Sequence, residues 1–150
     1  MRSLIVLAVF TLAVMPQFAA SQEKTELEQF ADRFIAAEDL AWQQGDFAAL
    51  QAIEDPGIFF HELNLKGWEA HKKYIMDGRK QVSALQQKWG YLTGEGDLFA
   101  LSYVGTGIFN NRQFKTEALM LFRRKHGRIT DVWLNLNTTS PDEQGPAKTQ

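Results

Sequence analysis

An α+β fold, with N-terminal helices packed in a strongly curved antiparallel sheet, is the expectation from three features of this sequence. A helix-periodic stretch opens the folded region, a shorter amphipathic helix follows, and four strand-like runs separated by turn residues close it. Helices first and a strand meander afterwards is the α+β order. The long strands are apolar on one face and the amphipathic helices must cover something. A bent sheet wrapped around the helices does so and leaves a cavity between them.

Glu26 to Gln44 carries Leu27, Phe30, Phe34, Ala37 and Ala41 at spacings of three and four, with Glu and Asp clustered on the other face. Gly45 suits a C-cap, and Asp46 an N-cap for a short helix through Phe47, Leu50 and Ile53. Asp55-Pro56-Gly57 signals a turn, Ile58 to Glu62 a short strand, and Asn64 to Gly67 a loop. Trp68 to about Val82 reads as a second amphipathic helix, marked by Trp68, His71, Ile75 and Val82. The strand runs are Leu85–Leu92, Leu98–Ile108, Phe114–Arg124 and Ile129–Asn137, with Gly94 to Asp97, Asn110-Asn111 and His126-Gly127 between them. That spacing argues consecutive antiparallel strands.

Before the first helix, Arg2 and the apolar run Leu4 to Val14 read as a signal peptide. The run is too short for the ~20 residues of a membrane-crossing helix. Ala19-Ala20-Ser21 fits the small-x-small rule, so residues 1–21 are expected to be removed and the protein to be secreted or periplasmic, with no membrane contact after cleavage. A single domain is expected over 22–137, and 138–150, with two Pro and no large apolar residue, as a loose tail. No Cys is present, so thiolate chemistry and disulfides are excluded. A formal charge of -2 offers no electrostatic footprint for nucleic acid. Eleven Phe, four Trp and three Tyr suit a deep apolar interior or pocket.

Several segments resemble one family. Ala41-Trp42-Gln43-Gln44-Gly45-Asp46-Phe47-Ala48-Ala49-Leu50 is similar to the junction of the first two helices in SnoaL-like domains of the NTF2-like superfamily. A His after an apolar strand followed by Gly67-Trp68-Glu69-Ala70, Gly96-Asp97 before a strand, and Phe122 to Trp133 resemble the same family's later elements. The resemblance spans about Glu26 to Asn137 and implies an NTF2-like cone with an apolar pocket, forming a homodimer through its sheet. It also implies a function among polyketide cyclases, isomerases, hydrolases and pocket proteins without assigned chemistry, a choice the fold does not make.

The acid/base Asp of the family's cyclases falls at Asn137, which cannot exchange a proton near neutral pH. Their strand His has no counterpart in Val104-Gly105-Thr106-Gly107. Of the ketosteroid isomerase branch, Glu62 takes the general-base position, whereas the second Asp and the first-helix Tyr fall near Met120 and Glu38. His61, ending an apolar strand, is the other candidate base. Alternation lets one of His61 and Glu62 face the pocket. The same alternation groups Trp133, Asn135 and Asn137 as a pocket face able to orient a carbonyl or hydroxyl. Tyr74, Tyr91 and Tyr103 could present hydroxyls, and Trp89 shares a strand face with Tyr91.

No metal site or cofactor is expected. His61-Glu62-Leu63-Asn64-Leu65 starts like a zincin motif but carries Leu65 where the second His belongs. The reading that follows is an exported domain binding a small apolar molecule in a pocket, with or without catalysis. The alternatives are a cyclase-, isomerase- or hydratase-like enzyme using His61 or Glu62 as base, and an envelope protein-interaction module.

Overall fold

The computed structural model describes residues 24–139; the expected signal peptide (1–21) and residues 140–150 of the expected tail lie outside them. In chain order the elements are α1 (Glu26–Gln44), α2 (Ala48–Ile53), β1 (Glu54–Phe60), β2 (Leu65–Lys66), α3 (Trp68–Gly78), β3 (Val82–Glu95), β4 (Leu98–Phe109), β5 (Arg112–Lys125) and β6 (Arg128–Thr139). No described helix is long and apolar enough to cross a membrane.

The start and stop of α1 follow from its terminal residues. The Thr25 hydroxyl accepts from the Glu28 N–H at 3.2 Å, and the Glu28 carboxylate accepts from the Thr25 N–H at 2.7 Å, a reciprocal capping box. Gly45 ends the helix with φ of 72°, a left-handed conformation that costs glycine nothing. The apolar stripe of α1 then lies on the sheet. Phe30 meets Phe99 edge-on at 5.2 Å, Phe34 meets Phe122 at 5.0 Å, and Phe99 stacks on Phe122 at 4.9 Å. These four rings, all buried, close one end of the cone.

The six strands form one sheet in the order β2-β1-β6-β5-β4-β3. β3 to β6 are the expected meander, with Asn110-Asn111 and His126-Gly127 at positive φ in its two-residue turns. The sheet is mixed rather than wholly antiparallel, because β1 runs parallel to β6. Crossing from β1 to β6 takes almost the whole remaining chain, which brings the start of the fold beside its end.

Three local expectations change. Asp55-Pro56-Gly57, expected as a turn, lies inside β1, where Asp55 Oδ1 accepts from the Gly57 N–H at 2.8 Å and the pairing with β6 slips between Glu54 and Phe59. α3 stops at Gly78, where an added Cβ would lie 2.6 Å from the Trp42 ring, and Val82 already belongs to β3. β6 continues through Thr138 and Thr139, beyond the expected domain end at Asn137.

The ring cluster at the closed end carries much of the packing, so Phe122→Ala is expected to lower the unfolding free energy by about 3–5 kcal/mol in urea denaturation. A loss below about 1 kcal/mol would mean the cluster does not hold α1 on the sheet.

Candidate functional site

Beside the four-ring cluster, sheet and helices line a cavity of about 810 Å³ that is open at one end. Each wall follows from the period of its element. α1 contributes Phe34, Glu38 and Trp42, one helical stripe at i, i+4 and i+8. α3 contributes His71 and Tyr74, three residues apart. β6 contributes Leu134, Leu136 and Thr138 at period two, with Thr116 and Met120 from β5 and Tyr103 from β4. Phe109, Asn110 and Arg112, around the β4–β5 turn, lie at the open end, where Phe109 and Arg112 are exposed.

The inner wall holds the chemistry. Glu38, Glu54 and His71 are all buried. His71 Nδ1 and Glu54 Oε2 are hydrogen-bonded at 3.0 Å, and His71 Nε2 lies 4.0 Å from Glu38 Oε1. The Trp42 indole N–H donates to Glu38 Oε2 at 3.0 Å. Glu54, 1% exposed, leaves its Oε1 without a partner among the described residues. Glu38 and His71 line the cavity, whereas Glu54 sits behind His71.

Burial sets the protonation of this group. It pushes the Glu38 carboxyl up to about 7; His71 opposes the rise, Glu54 adds to it and the Trp42 hydrogen bond resists it. Burial also raises Glu54, against the pull of its His71 hydrogen bond. Burial alone would lower His71, but the Glu54 hydrogen bond and the charges of Glu38 and Glu54 outweigh it, and the imidazole is raised. Burial, then the Glu38 charge, raises Tyr74 and Tyr103, keeping both hydroxyls as donors. The inner wall is therefore a carboxyl poised to gain or lose a proton near neutral pH, beside an imidazole held in place from behind.

The donor atoms of these three residues lie within 4.8 Å of one another, and their types suit a divalent cation. The arrangement is nonetheless a hydrogen-bonded one. With Nδ1 engaged by Glu54, an ion entering from the cavity would meet His71 Nε2 and Glu38, two protein ligands where zinc sites use three or four.

Of the residues expected from sequence, Tyr74 and Tyr103 line this cavity, and the others lie elsewhere. Phase is the reason. In β1 the inward positions belong to Ile58 and Phe60, so His61 projects to the outer face, where it stacks on Trp133 at 4.4 Å and pairs with Asp131 at 3.0 Å. Glu62 is spent on the backbone: its carboxylate accepts from the Leu134 N–H at 2.6 Å, capping β6 just where β1 has ended. Neither His61 nor Glu62 is among the lining residues.

Alternation in β6 holds, but the inward phase is Leu134, Leu136 and Thr138, which puts Trp133, Asn135 and Asn137 outside. In β3 the register slips between Trp89 and Tyr91, so the two no longer share a face. The Trp89 indole N–H donates to Asp32 of α1 at 2.9 Å, while Tyr91 is 64% exposed.

The residues missed were Glu38, Glu54 and His71. Two carried a signal. Glu38 stands four residues after Phe34 on an otherwise apolar stripe, against the expectation that acids take the other face, and His71 stands between Trp68 and Ile75. Glu54 carried none, since it precedes what reads as a turn.

No protein-family model matches the sequence, and no curated protein matches it. Solved structures do. TsrD from Streptomyces laurentii aligns with a TM-score of 0.64 at 18% identity, covering 77% of this chain and 92% of its own. A candidate SnoaL-like polyketide cyclase from Jannaschia sp. aligns with a TM-score of 0.62 at 17% identity, covering 77% and 91%. The protein designated Rd1NTF2_04 with long sheet aligns at 0.57 and 17% identity, covering 73% and 99%. Identities this low speak for architecture alone. The fold of this chain is the NTF2-like cone, the one found in the SnoaL-like structure it matches.

Proposed function

We propose that this protein is exported and binds a small, largely apolar molecule in the cavity, its polar group set against Glu38, His71 and Tyr103. The carrying observation is a cavity of about 810 Å³ in which Phe, Trp, Leu, Tyr and Met side chains predominate, with Glu38 and His71 at its inner wall and Gln, Asn, Arg and Thr side chains elsewhere on the lining. The export half rests on the apolar run of residues 4–14 and the small residues before position 22.

A second reading is favoured by the protonation of Glu38. A carboxyl raised to about 7 beside a buried imidazole is suited to move a proton to or from a bound carbonyl compound. The names of structural neighbours, a polyketide cyclase candidate from Bacillus cereus and an LEH-like epoxide hydrolase from M. tuberculosis, are compatible with such chemistry. In this reading Glu38, backed by His71, takes the role that sequence reasoning assigned to His61 or Glu62. The outer sheet face supports the homodimer expected from sequence, since Val104, Leu119 and Leu121 are exposed there beside Trp133.

Three measurements check these readings. The neutral fluorophore N-phenyl-1-naphthylamine should brighten on adding the protein, and Leu134→Trp, which fills the cavity, should weaken its binding by about tenfold or more, a loss of ~1.4 kcal/mol. His61→Ala, on the outer face, should leave it unchanged; the reverse pattern would move the site to the outside of the sheet. Sedimentation should show a dimer that Leu119→Glu converts to monomer, and a wild-type monomer at high concentration would remove the sheet-face pairing.

The pH dependence has a definite sign. Because the folded state raises Glu38 from its ordinary 4.5 to about 7, it holds the proton more tightly than the unfolded chain does. The contribution is complete below pH 4.5 and lost as pH rises through 7, on the order of 3 kcal/mol in all. The raised His71 acts in the same direction above its ordinary 6.5. Denaturation curves should therefore show falling stability across pH 4.5 to 7, and Glu38→Gln should flatten the slope. A flat wild-type profile would contradict the buried carboxyl.

A further inference from the structure

We infer that the molecule held in this cavity is an organic cation, an amine with an apolar body, whose ammonium group lies against Glu38 inside the ring of Phe60, Trp42, Tyr74 and Tyr103. The inference rests on the pocket reading above and adds the charge of the occupant.

Charge at the inner wall is out of balance. Two carboxylates, Glu38 and Glu54, share a single imidazole, and His71 is the one basic side chain that reaches either of them among the described residues. Arg128 comes close, but its guanidinium donates to the backbone carbonyl of Glu54 at 3.0 Å, not to the carboxylate. Arg112 lines the cavity only at its exposed end. Even with His71 protonated, the cluster carries one more negative charge than positive whenever both carboxyls are ionised. Such a surplus is costly in a dry interior, and a buried charge calls for a partner. Glu38 relieves it by holding a proton near neutral pH. A cation entering from the cavity would relieve it directly, because Glu38 faces the cavity and Glu54 does not.

The surroundings select the kind of cation. Phe60 lies 4.1 Å from His71, and Tyr74 lies 6.2 Å from Trp42 in an edge-on arrangement, ring centroid to ring centroid. Trp42, Tyr74 and Tyr103 line the same wall as Glu38, and aromatic rings attract a positively charged nitrogen more than a neutral hydroxyl. A bare divalent ion finds only two protein ligands from the cavity side. An anionic group at the inner wall would meet the Glu38 carboxylate directly. Phe34, Leu85, Met120 and Leu134 then receive the apolar body.

The groups facing Glu38 come from four elements: Asp39 and Trp42 on α1, Glu54 on β1, His71 and Tyr74 on α3, and Tyr103 on β4. Of these His71 alone gains a positive charge on protonation and the carboxylates lose their negative charge, so lowering the pH weakens the attraction for a cation in every case. The direction of the pH response is therefore fixed.

Displacement of N-phenyl-1-naphthylamine by two probes of one shape tests this: 4-phenylbutylamine and 4-phenylbutan-1-ol. At pH 8 the amine should displace the fluorophore at about tenfold lower concentration than the alcohol. The preference should shrink at pH 5.5, and Glu38→Gln should bring the two probes to equal affinity. The wild-type pH series stands by itself should that variant fail to fold. Equal affinities at pH 8, a preference that persists in Glu38→Gln, tighter binding of 4-phenylbutanoate, or stabilisation by zinc chloride exceeding that by the amine would each overturn the inference. If the fluorophore binds and neither probe displaces it, the amine inference fails while the pocket stands. If the fluorophore does not bind, the pocket reading itself fails.

Discussion

A sheet longer than the helix that covers it is the constraint from which the rest of this protein follows. α1 has 19 residues and, at 1.5 Å per residue, reaches about 28 Å. β3 and β5 have 14 residues each and, at 3.3 Å per residue, reach about 46 Å. The helix can therefore cover only part of the strands. At the covered end, Phe30, Phe34, Phe99 and Phe122 fill the space between helix and sheet. Towards the other end Phe109, Phe114 and Thr139 line the cavity together with Glu38 and Trp42 from the last turns of α1. Pocket and core are two ends of one mismatch in length.

That geometry explains why the inner wall carries ionisable groups. Glu38 stands where α1 passes from the ring cluster to the cavity, with Phe34 before it and Trp42 after it on the same stripe. α3 and the start of β1 close in from the side and bring His71 and Glu54. Each of the three is poorly solvated, and each is raised from its ordinary proton affinity, so the group is most stable with more protons than solution would give it. A buried polar cluster of this kind does little for stability by itself, because desolvation offsets much of the attraction.

The outer face uses its polar residues differently. Arg123 lies over the Trp133 ring at 5.1 Å, Trp133 stacks on His61, and Phe59 lies beyond at 4.3 Å from His61. Asp131 joins the column through His61 and Arg123. These residues brace the outside of the parallel β1–β6 pair, and the base expected at His61 turns out to be part of that brace. Glu62 likewise serves the strand edge. Two side chains that looked catalytic are accounted for by sheet architecture.

What the sequence by itself determined was set by local periodicity and by turn chemistry. The stripe Phe30, Phe34, Ala37 and Ala41, Gly45, and the Asn110-Asn111 and His126-Gly127 turns place the helices and the meander from short-range physics. With the family resemblance, they made the cone legible before any coordinate. What only the tertiary structure decided was phase and partnership. Period-two alternation groups Trp133 with Asn135 and Asn137 but cannot say which group faces inward; that depends on which side α1 packs. The bulge that separates Trp89 from Tyr91 and the parallel pairing of β1 with β6 are set by neighbours distant in the chain. Glu38, Glu54 and His71 are 16 and 17 residues apart in sequence, on three different elements, so no motif joins them. They meet because α1, β1 and α3 converge beside one cavity, and the burial that gives them their chemistry exists only once the chain has closed around it.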